Sequence, residues 1–303
     1  MSLWDKLRNR FVGCGRDGVV RHVNWWDNRP SWFSRFLNRR LGLPPEARFR
    51  FYSVFGPKEL VYRPVRGAKV FFSGENLHRF YREYGDYCLD EVDLALGFDD
   101  LPNPRYLRFP LWITRIFPPE ATEEAIGEEI RRMNRPRPPR ERLFALIAGH
   151  DKWNTRTPLH DALSARYPVD CAGRWRRNTR ELQARFGDDK RRFLEQYAFN
   201  ICPENTDTPL YVTEKPFEAI QAGCTPVYFG SGNRPEPEVL NREALVLWDP
   251  GSPGEALETI RRAVEDPAFG EELRSRPFFL PRAAEVVAEK FAALEALLRR
   301  CVP

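Results

Sequence analysis

The 303 residues carry 42% hydrophobic and 30% charged side chains, a soluble mixture long enough for two domains, and no run approaches the ~20 apolar residues that cross a bilayer. A net charge of +5 suits an anionic ligand or surface, and with no nucleic-acid motif beside it a nucleic-acid partner is not expected. The first 20 residues mix charges with single apolar residues, unlike a secretory leader. Cys14, Cys88, Cys171, Cys202, Cys224 and Cys301 form no Cys-x-x-Cys pair. They are therefore expected as reduced thiols of a cytoplasmic protein, neither disulfides nor structural zinc ligands.

In chain order, residues 19–26, 50–55, 68–73 and 94–98 read as strands, rich in β-branched and aromatic side chains or in short apolar runs. Residues 106–112 read as a short strand or an extended connection around Pro110. Residues 120–134 read as a helix with Ala125, Ile126, Ile130 and Met133 on one side. Arg135-Pro136-Arg137-Pro138-Pro139-Arg140 stops it and reads as a linker or as a solvated loop. This divides the chain into 1–138, 139–280 and a terminal helix, 281–303. Strands follow at 143–148, 199–202, 225–230 and 244–248. Helices are expected at 158–166, 188–197 with Asp188 as N-cap, 214–222, 253–265 and 282–300. For 214–222, Thr213 would cap the start, Pro216 sits in the tolerant first turn and Gly223 ends the helix. The alternation predicts an α/β fold with mainly parallel sheets. On 282–300, Val286, Val287, Phe291, Leu294 and Leu298 share a face that suits packing, while Arg299 and Arg300 leave peripheral membrane contact open.

The most informative stretch is 199–230, FNICPENTDTPLYVTEKPFEAIQAGCTPVYFG, read as strand, polar loop, helix and strand. In open α/β sheets ligands bind beyond the carboxyl ends of strands, and a helix start there favours phosphate. Lys215 adds a charge and Glu214 an acceptor suited to ribose hydroxyls. From the residues alone, both are equally well ordinary first-turn helix residues.

Phe199-Asn200, Glu204-Asn205, Tyr211-Val212-Thr213-Glu214-Lys215, Ala222-Gly223 and Pro226-Val227 resemble, in order and spacing, the donor signature of glycosyltransferase family 10, the α-1,3/1,4-fucosyltransferases. Arg177-Asn178-Thr179 is similar to the family too. So are Phe71-Phe72-Ser73-Gly74-Glu75-Asn76, Leu96-Gly97-Phe98-Asp99 and Tyr106-Leu107-Arg108-Phe109-Pro110-Leu111. The resemblance runs from about residue 20 to about residue 250.

It implies a GT-B architecture, two Rossmann-like domains facing across a cleft, the first taking a glycan acceptor and the second GDP-fucose. It implies inverting transfer without a metal or other cofactor, and no Asp-x-Asp motif is present. Glu75 would be the catalytic base, with Asp99 and Glu204 as competitors. Gly74 would let the donor approach the backbone beside it. Arg177 and Lys215 would neutralise the leaving diphosphate, Asn205 and Tyr211 would bind sugar or phosphate, and Glu214 the ribose. Glu204 is alternatively placed against the fucose ring, and Arg156 and His150 are further phosphate candidates. The competing readings are a GT-B transferase for another nucleotide sugar and a nucleotide-sugar- or glycan-binding protein without turnover. Acceptor choice would rest on loops such as 12–18 and 55–67. The setting implied is surface-glycan synthesis, protein glycosylation or lipopolysaccharide, on the inner face of a membrane.

Overall fold

The computed structural model describes residues 16–17, 19–26, 31–44 and 46–302. Cys14 and most of the expected acceptor loop 12–18 lie outside them. The chain divides into two compact units, Met1–Glu124 with Val287–Pro303, and Ala125–Val286. That division falls ahead of the proline-rich stretch.

The first unit is built on a six-stranded sheet in sequential order: β1 (Arg16–Asp17), β2 (Val20–Val23), β3 (Phe49–Tyr52), β4 (Ala68–Phe72), β5 (Leu94–Gly97) and β6 (Tyr106–Arg108). β1 runs antiparallel to β2, and the other neighbours are parallel. Both faces of the parallel part are covered, so its strands read as apolar runs rather than a clean alternation. Val23, Tyr52, Phe71 and Ala95 pack on one face against Val61, Leu77, Tyr84 and Tyr87. On the other, Phe33 of helix α1 (Trp32–Arg35) meets Phe51 and Phe72 at ring distances of 5.0 and 4.8 Å. A short helix, α2 (Glu59–Tyr62), lies between β3 and β4. The expected extended stretch 106–112 is a strand only to Arg108. After Pro110 the chain becomes helix α3 (Leu111–Ile116), because Trp112, Ile113 and Ile116 fall on one buried face at helical spacing.

The helix expected at 120–134 is α4 (Glu123–Met133). The second unit's strands are β7 (Arg142–Leu146), β8 (Val169–Cys171), β9 (Tyr197–Ile201), β10 (Thr225–Tyr228) and β11 (Val246–Leu247). They are all parallel, in the order β11-β10-β9-β7-β8. Helices α5 (Thr157–Ser164), α6 (Glu181–Ala184), α7 (Lys190–Leu194), α8 (Lys215–Gln221), α9 (Gly254–Glu265) and α10 (Pro267–Ser275) connect or follow them. This is a doubly wound sheet whose switch point lies between β7 and β9.

Several expectations are corrected. Asp189, not Asp188, caps α7, accepting from the Arg192 N–H, and Asp188 takes a left-handed φ of 64°. The strand expected at 244–248 shortens to Val246–Leu247, since Asn241 caps a 3-10 turn at Arg242–Ala244. β8, α6 and α10 were not anticipated; α10 is started by Asp266, which accepts from the N–H groups of Ala268 and Phe269. Nor is the basic, proline-rich stretch solvated throughout. Arg137 is 7% exposed, lies 4.0 Å over the Phe278 ring and donates to the carbonyls of Leu273 and Arg276. Arg140 donates to the carbonyls of Tyr197 and Ala222. Proline cannot supply such bonds, so the arginines anchor the segment.

Helix α11 (Ala283–Arg300) returns the chain to the first unit from Val287 onward. Val287, Phe291, Leu294 and Leu298 are fully buried, whereas Val286 is only half-buried. Its apolar face is thus spent on packing. Among the described residues no helix is long and apolar enough to cross a membrane. Cys88, Cys171, Cys202, Cys224 and Cys301 are free thiols.

Candidate active site

In the second unit, β7 and β9 lie side by side, and their carboxyl ends open a cleft of about 80 Å³. Leu146, Asn200, Cys202, Arg156, Glu214 and Lys215 are among its lining residues. Helix α8 begins here because Lys215 follows a polar turn, Pro216 fits its first turn and Phe217, Ala219 and Ile220 bury its inner side. Gly223, at φ +74°, ends it as expected.

Thr213 does not cap α8 as expected. Glu214 occupies the cap position and makes no capping bond with its side chain. Thr213 is instead engaged by Glu204, whose carboxylate is fully buried. Glu204 accepts from the Thr213 backbone N–H at 2.7 Å, from the Thr213 hydroxyl at 2.9 Å and from Lys215 Nζ at 2.7 Å. The Lys215 ammonium also donates to the Thr213 hydroxyl. Gly230, at φ +138°, closes over this pair: a Cβ there would come within 2.8 Å of Glu204 Cγ, so no larger residue fits without displacing the carboxylate. Lys215 keeps 22% of its side chain exposed. Burial works against its charge, but the carboxylates of Glu204 and Glu214 outweigh it and raise its pKa.

A second network adjoins it. Arg156 is 7% exposed and donates to Asn205 Oδ1 at 2.7 Å and to the His150 carbonyl at 2.8 Å. Burial lowers its pKa, offset by the charges of Asp151 and Glu204. Asp151, absent from the sequence reading, organises the loop ahead of α5. It accepts from the backbone N–H groups of Thr155, Arg156 and Thr157 and from the Thr157 hydroxyl. Burial works to raise its pKa, yet these bonds hold it below the usual 3.8. The sequence signal was an aspartate six residues before a Thr-Pro helix start. Asn200, part of the donor signature but given no role in it, has its side-chain oxygen buried without a hydrogen-bond partner and lines the cleft.

The remaining donor candidates are not gathered here. Tyr211 is 2% exposed and Arg177 is exposed on the loop after β8, and neither lines this cleft. The His150 side chain is exposed, with its pKa lowered first by burial and then by the Arg156 and Lys152 charges. Glu204 does not present its carboxylate to a ligand surface, because it is spent on Thr213 and Lys215.

In the first unit, the carboxyl end of β4 presents Gly74 and Glu75 to a cavity of about 270 Å³, also lined by Trp26, Phe55, Leu111 and Arg115. The Ser73 hydroxyl accepts from the Glu75 N–H and donates to the Glu75 carbonyl, fixing the turn. Gly74, grouped by the sequence reading with the donor residues, belongs to this cavity. A Cβ there would meet Leu111 Cδ2 at 2.9 Å, so close packing on α3 is what the glycine serves. Asp99, the other competitor for the base, is engaged by the Tyr87 hydroxyl at 2.7 Å and by His78 Nε2 at 2.9 Å.

Two α/β units on parallel sheets, the second doubly wound with cations at its switch point, define the GT-B class of fold. Residues 20–115 match the family model of the Alpha-(1,3)-fucosyltransferase FucT N-terminal domain, and residues 138–249 match that of Glycosyltransferase family 10 (fucosyltransferase) C-term. The chain belongs to glycosyltransferase family 10.

Alpha-(1,3)-fucosyltransferase FucT of Helicobacter pylori is 30% identical over 242 residues, 69% of this chain and 49% of that protein. Alpha-(1,3)-fucosyltransferase B of Drosophila melanogaster is 33% identical over 75 residues, 25% of this chain and 17% of that one. The chain thus spans about half the length of the bacterial relative. A solved α1,3-fucosyltransferase with GDP-fucose superposes with a TM-score of 0.59 at 21% identity, covering 91% of this chain and 89% of that one. At that identity the likeness speaks for the fold.

Proposed function

We propose that this protein transfers fucose from GDP-fucose to a glycan hydroxyl, with inversion and without a metal ion. The observation that supports it best is the pairing of family membership along both units with a cationic cleft at the second unit's switch point. In this reading the diphosphate is held by Lys215 and Arg156, whose positions are fixed before any ligand arrives. Fixed cations at the place where leaving-group charge grows stabilise the transition state without reorganising. Arg177, exposed on its loop, supplies a further cation. Glu214 receives ribose hydroxyls, and Asn200 offers its side-chain oxygen to a donor group of the ligand. Glu75 takes the proton from the acceptor hydroxyl as it attacks, with Trp26 and Phe55 giving the sugar an apolar face. Glu204, Asp151 and Asn205 act as positioning residues for the two cations.

The test is calorimetric binding and turnover with a panel of nucleotide sugars, run with a chelator present. Selective binding of GDP-fucose and GDP release with a glycan acceptor are expected. Preference for another nucleotide sugar, or a strict need for a divalent ion, overturns the reading. Binding without release under every acceptor tried reduces the protein to a binding module.

A further inference from the structure

The loop that follows Glu75 holds a tyrosine in a conformation that tyrosines rarely take. From Asn76 the chain makes one helical turn, in which the Phe80 N–H bonds to the Asn76 carbonyl at 2.8 Å. Tyr81 ends that turn in the left-handed region, at φ 54° and ψ 41°, and a 3-10 turn, Arg82–Tyr84, begins beyond it. Chains ordinarily place glycine at such a position, because a Cβ there crowds the backbone. Strained residues of this kind cluster at binding sites.

Other residues of the chain are also left-handed, so strain by itself assigns nothing, and the place of the ring decides. Tyr84 and Tyr87, in the same loop, are fully buried, with hydroxyls bonded to the Gly56 carbonyl and the Asp99 carboxylate. Their employment is structural. Tyr81 is half-buried, with one side on the core and its ring edge to face with Phe55 at 5.6 Å. Phe55 in turn meets Trp26 edge to face at 6.1 Å. Phe55 and Trp26 line the cavity to which Glu75 is presented, and Tyr81 stands just beyond that wall. It is near enough to feel the carboxylate. Burial first, and then the charges of Glu75 and Glu83, raise the Tyr81 pKa, so the hydroxyl keeps its proton and can donate.

We propose that Tyr81 binds the second sugar of the acceptor, next to the one whose hydroxyl meets Glu75. Its ring continues the Trp26–Phe55 wall for the apolar face of a pyranose, and its hydroxyl bonds a hydroxyl of the same sugar. The acceptor class that follows is a glycan of at least two sugars rather than a free monosaccharide. The proposal rests on the reading of Glu75 as the acceptor-side base.

The test is NMR titration of the full chain without donor, using methyl β-galactoside, lactose and N-acetyllactosamine as probes. Wild type is expected to bind at least one disaccharide about tenfold or more tightly than the monosaccharide. Tyr81→Asn, chosen because asparagine tolerates the left-handed region, should abolish that preference and leave GDP affinity unchanged. Tyr81→Phe should keep most of it; loss in both variants assigns the hydroxyl as the main contact. Wild type without a disaccharide preference, or Tyr81→Asn retaining it, overturns the proposal, as does an equal loss for the monosaccharide. Thermal melts establish that the variants are folded, and Tyr81→Gly repeats the comparison if Tyr81→Asn is not. Turnover with GDP-fucose is followed alongside. A preference that depends on Tyr81 with no transfer overturns the fucosyl-transfer reading and keeps the sugar-binding assignment, whereas transfer with a preference indifferent to Tyr81 overturns the assignment alone.

Discussion

At the carboxyl ends of its strands the second unit carries cations that are already bonded, Lys215 to the Glu204 carboxylate and Arg156 to the Asn205 amide oxygen. The first unit presents a half-buried carboxylate, Glu75, between aromatic rings and an exposed arginine, Arg115, around a cavity more than three times larger. The difference follows from what each would hold. A diphosphate is the same in every turnover, so cations fixed by buried partners suit it. In the proposed reaction a glycan hydroxyl has to be deprotonated, which asks for a carboxylate at the edge of an open cavity rather than one fully buried. Burying Glu204 costs solvation that two Thr213 donors and the Lys215 ammonium offset, and the gain is a lysine that does not have to be ordered by a ligand.

The sharpest way to break this comparison is Glu75→Gln. Loss of a general base lowers turnover by roughly 10²–10⁴-fold, while GDP affinity measured by calorimetry should stay within about tenfold. Equal loss of both would move Glu75 to a donor or structural role. Next in size is Glu204→Ala, which strands the Lys215 ammonium and should cost about 3–5 kcal/mol of stability in urea unfolding. Adding Lys215→Met should recover part of that, and a cost below about 1 kcal/mol would show the pair to be dispensable.

Arg177 offers the contrast between a bonded and an exposed cation. Arg177→Ala is expected to weaken GDP by about tenfold with Tm unchanged, whereas Lys215→Met should lower both. Unchanged GDP affinity would remove Arg177 from the site. The smallest effect concerns acid. The Asp151 carboxyl titrates below its usual 3.8, so its contribution is present above that pH and is lost as pH falls through the depressed folded value. Urea midpoints should therefore fall below pH 4, less steeply in Asp151→Asn; parallel curves would show that Asp151 is not the acid-sensitive group.

Much of this was legible in the sequence because it rests on local chemistry. Pro216 and Gly223 bracket α8, and the short apolar runs of β4, β5 and β9 are strands on both counts of length and composition. β8 was missed because Val169-Asp170-Cys171 is three residues with a charge in the middle, and only its pairing with β7 makes it a strand. α10 was missed because it begins one residue after α9 ends, with Asp266 serving both as the C-cap of one and the N-cap of the other. In the site, residue types were readable and their employment was not. Glu204 and Thr213 look like ligand and cap in the chain, and become a clamp on Lys215 only when Glu204 N–H bonds to the Phe229 carbonyl beyond β10. Asp151 is invisible for the same reason: its worth lies in four donors brought to it by a loop.

Helix α11 carries a consequence for how the protein is made. Its Phe291 packs edge-on against Trp32 at 5.4 Å, lies 6.1 Å from Phe36 and 6.3 Å from Phe109, and sits under the Arg40 guanidinium, which also pairs with Glu295. Those partners leave the ribosome first, and the helix that covers them emerges only after the whole second unit has been synthesised. During translation the nascent first unit thus waits with an open aromatic face, a window in which a chaperone, or a neighbouring nascent chain, competes with α11 for the same rings.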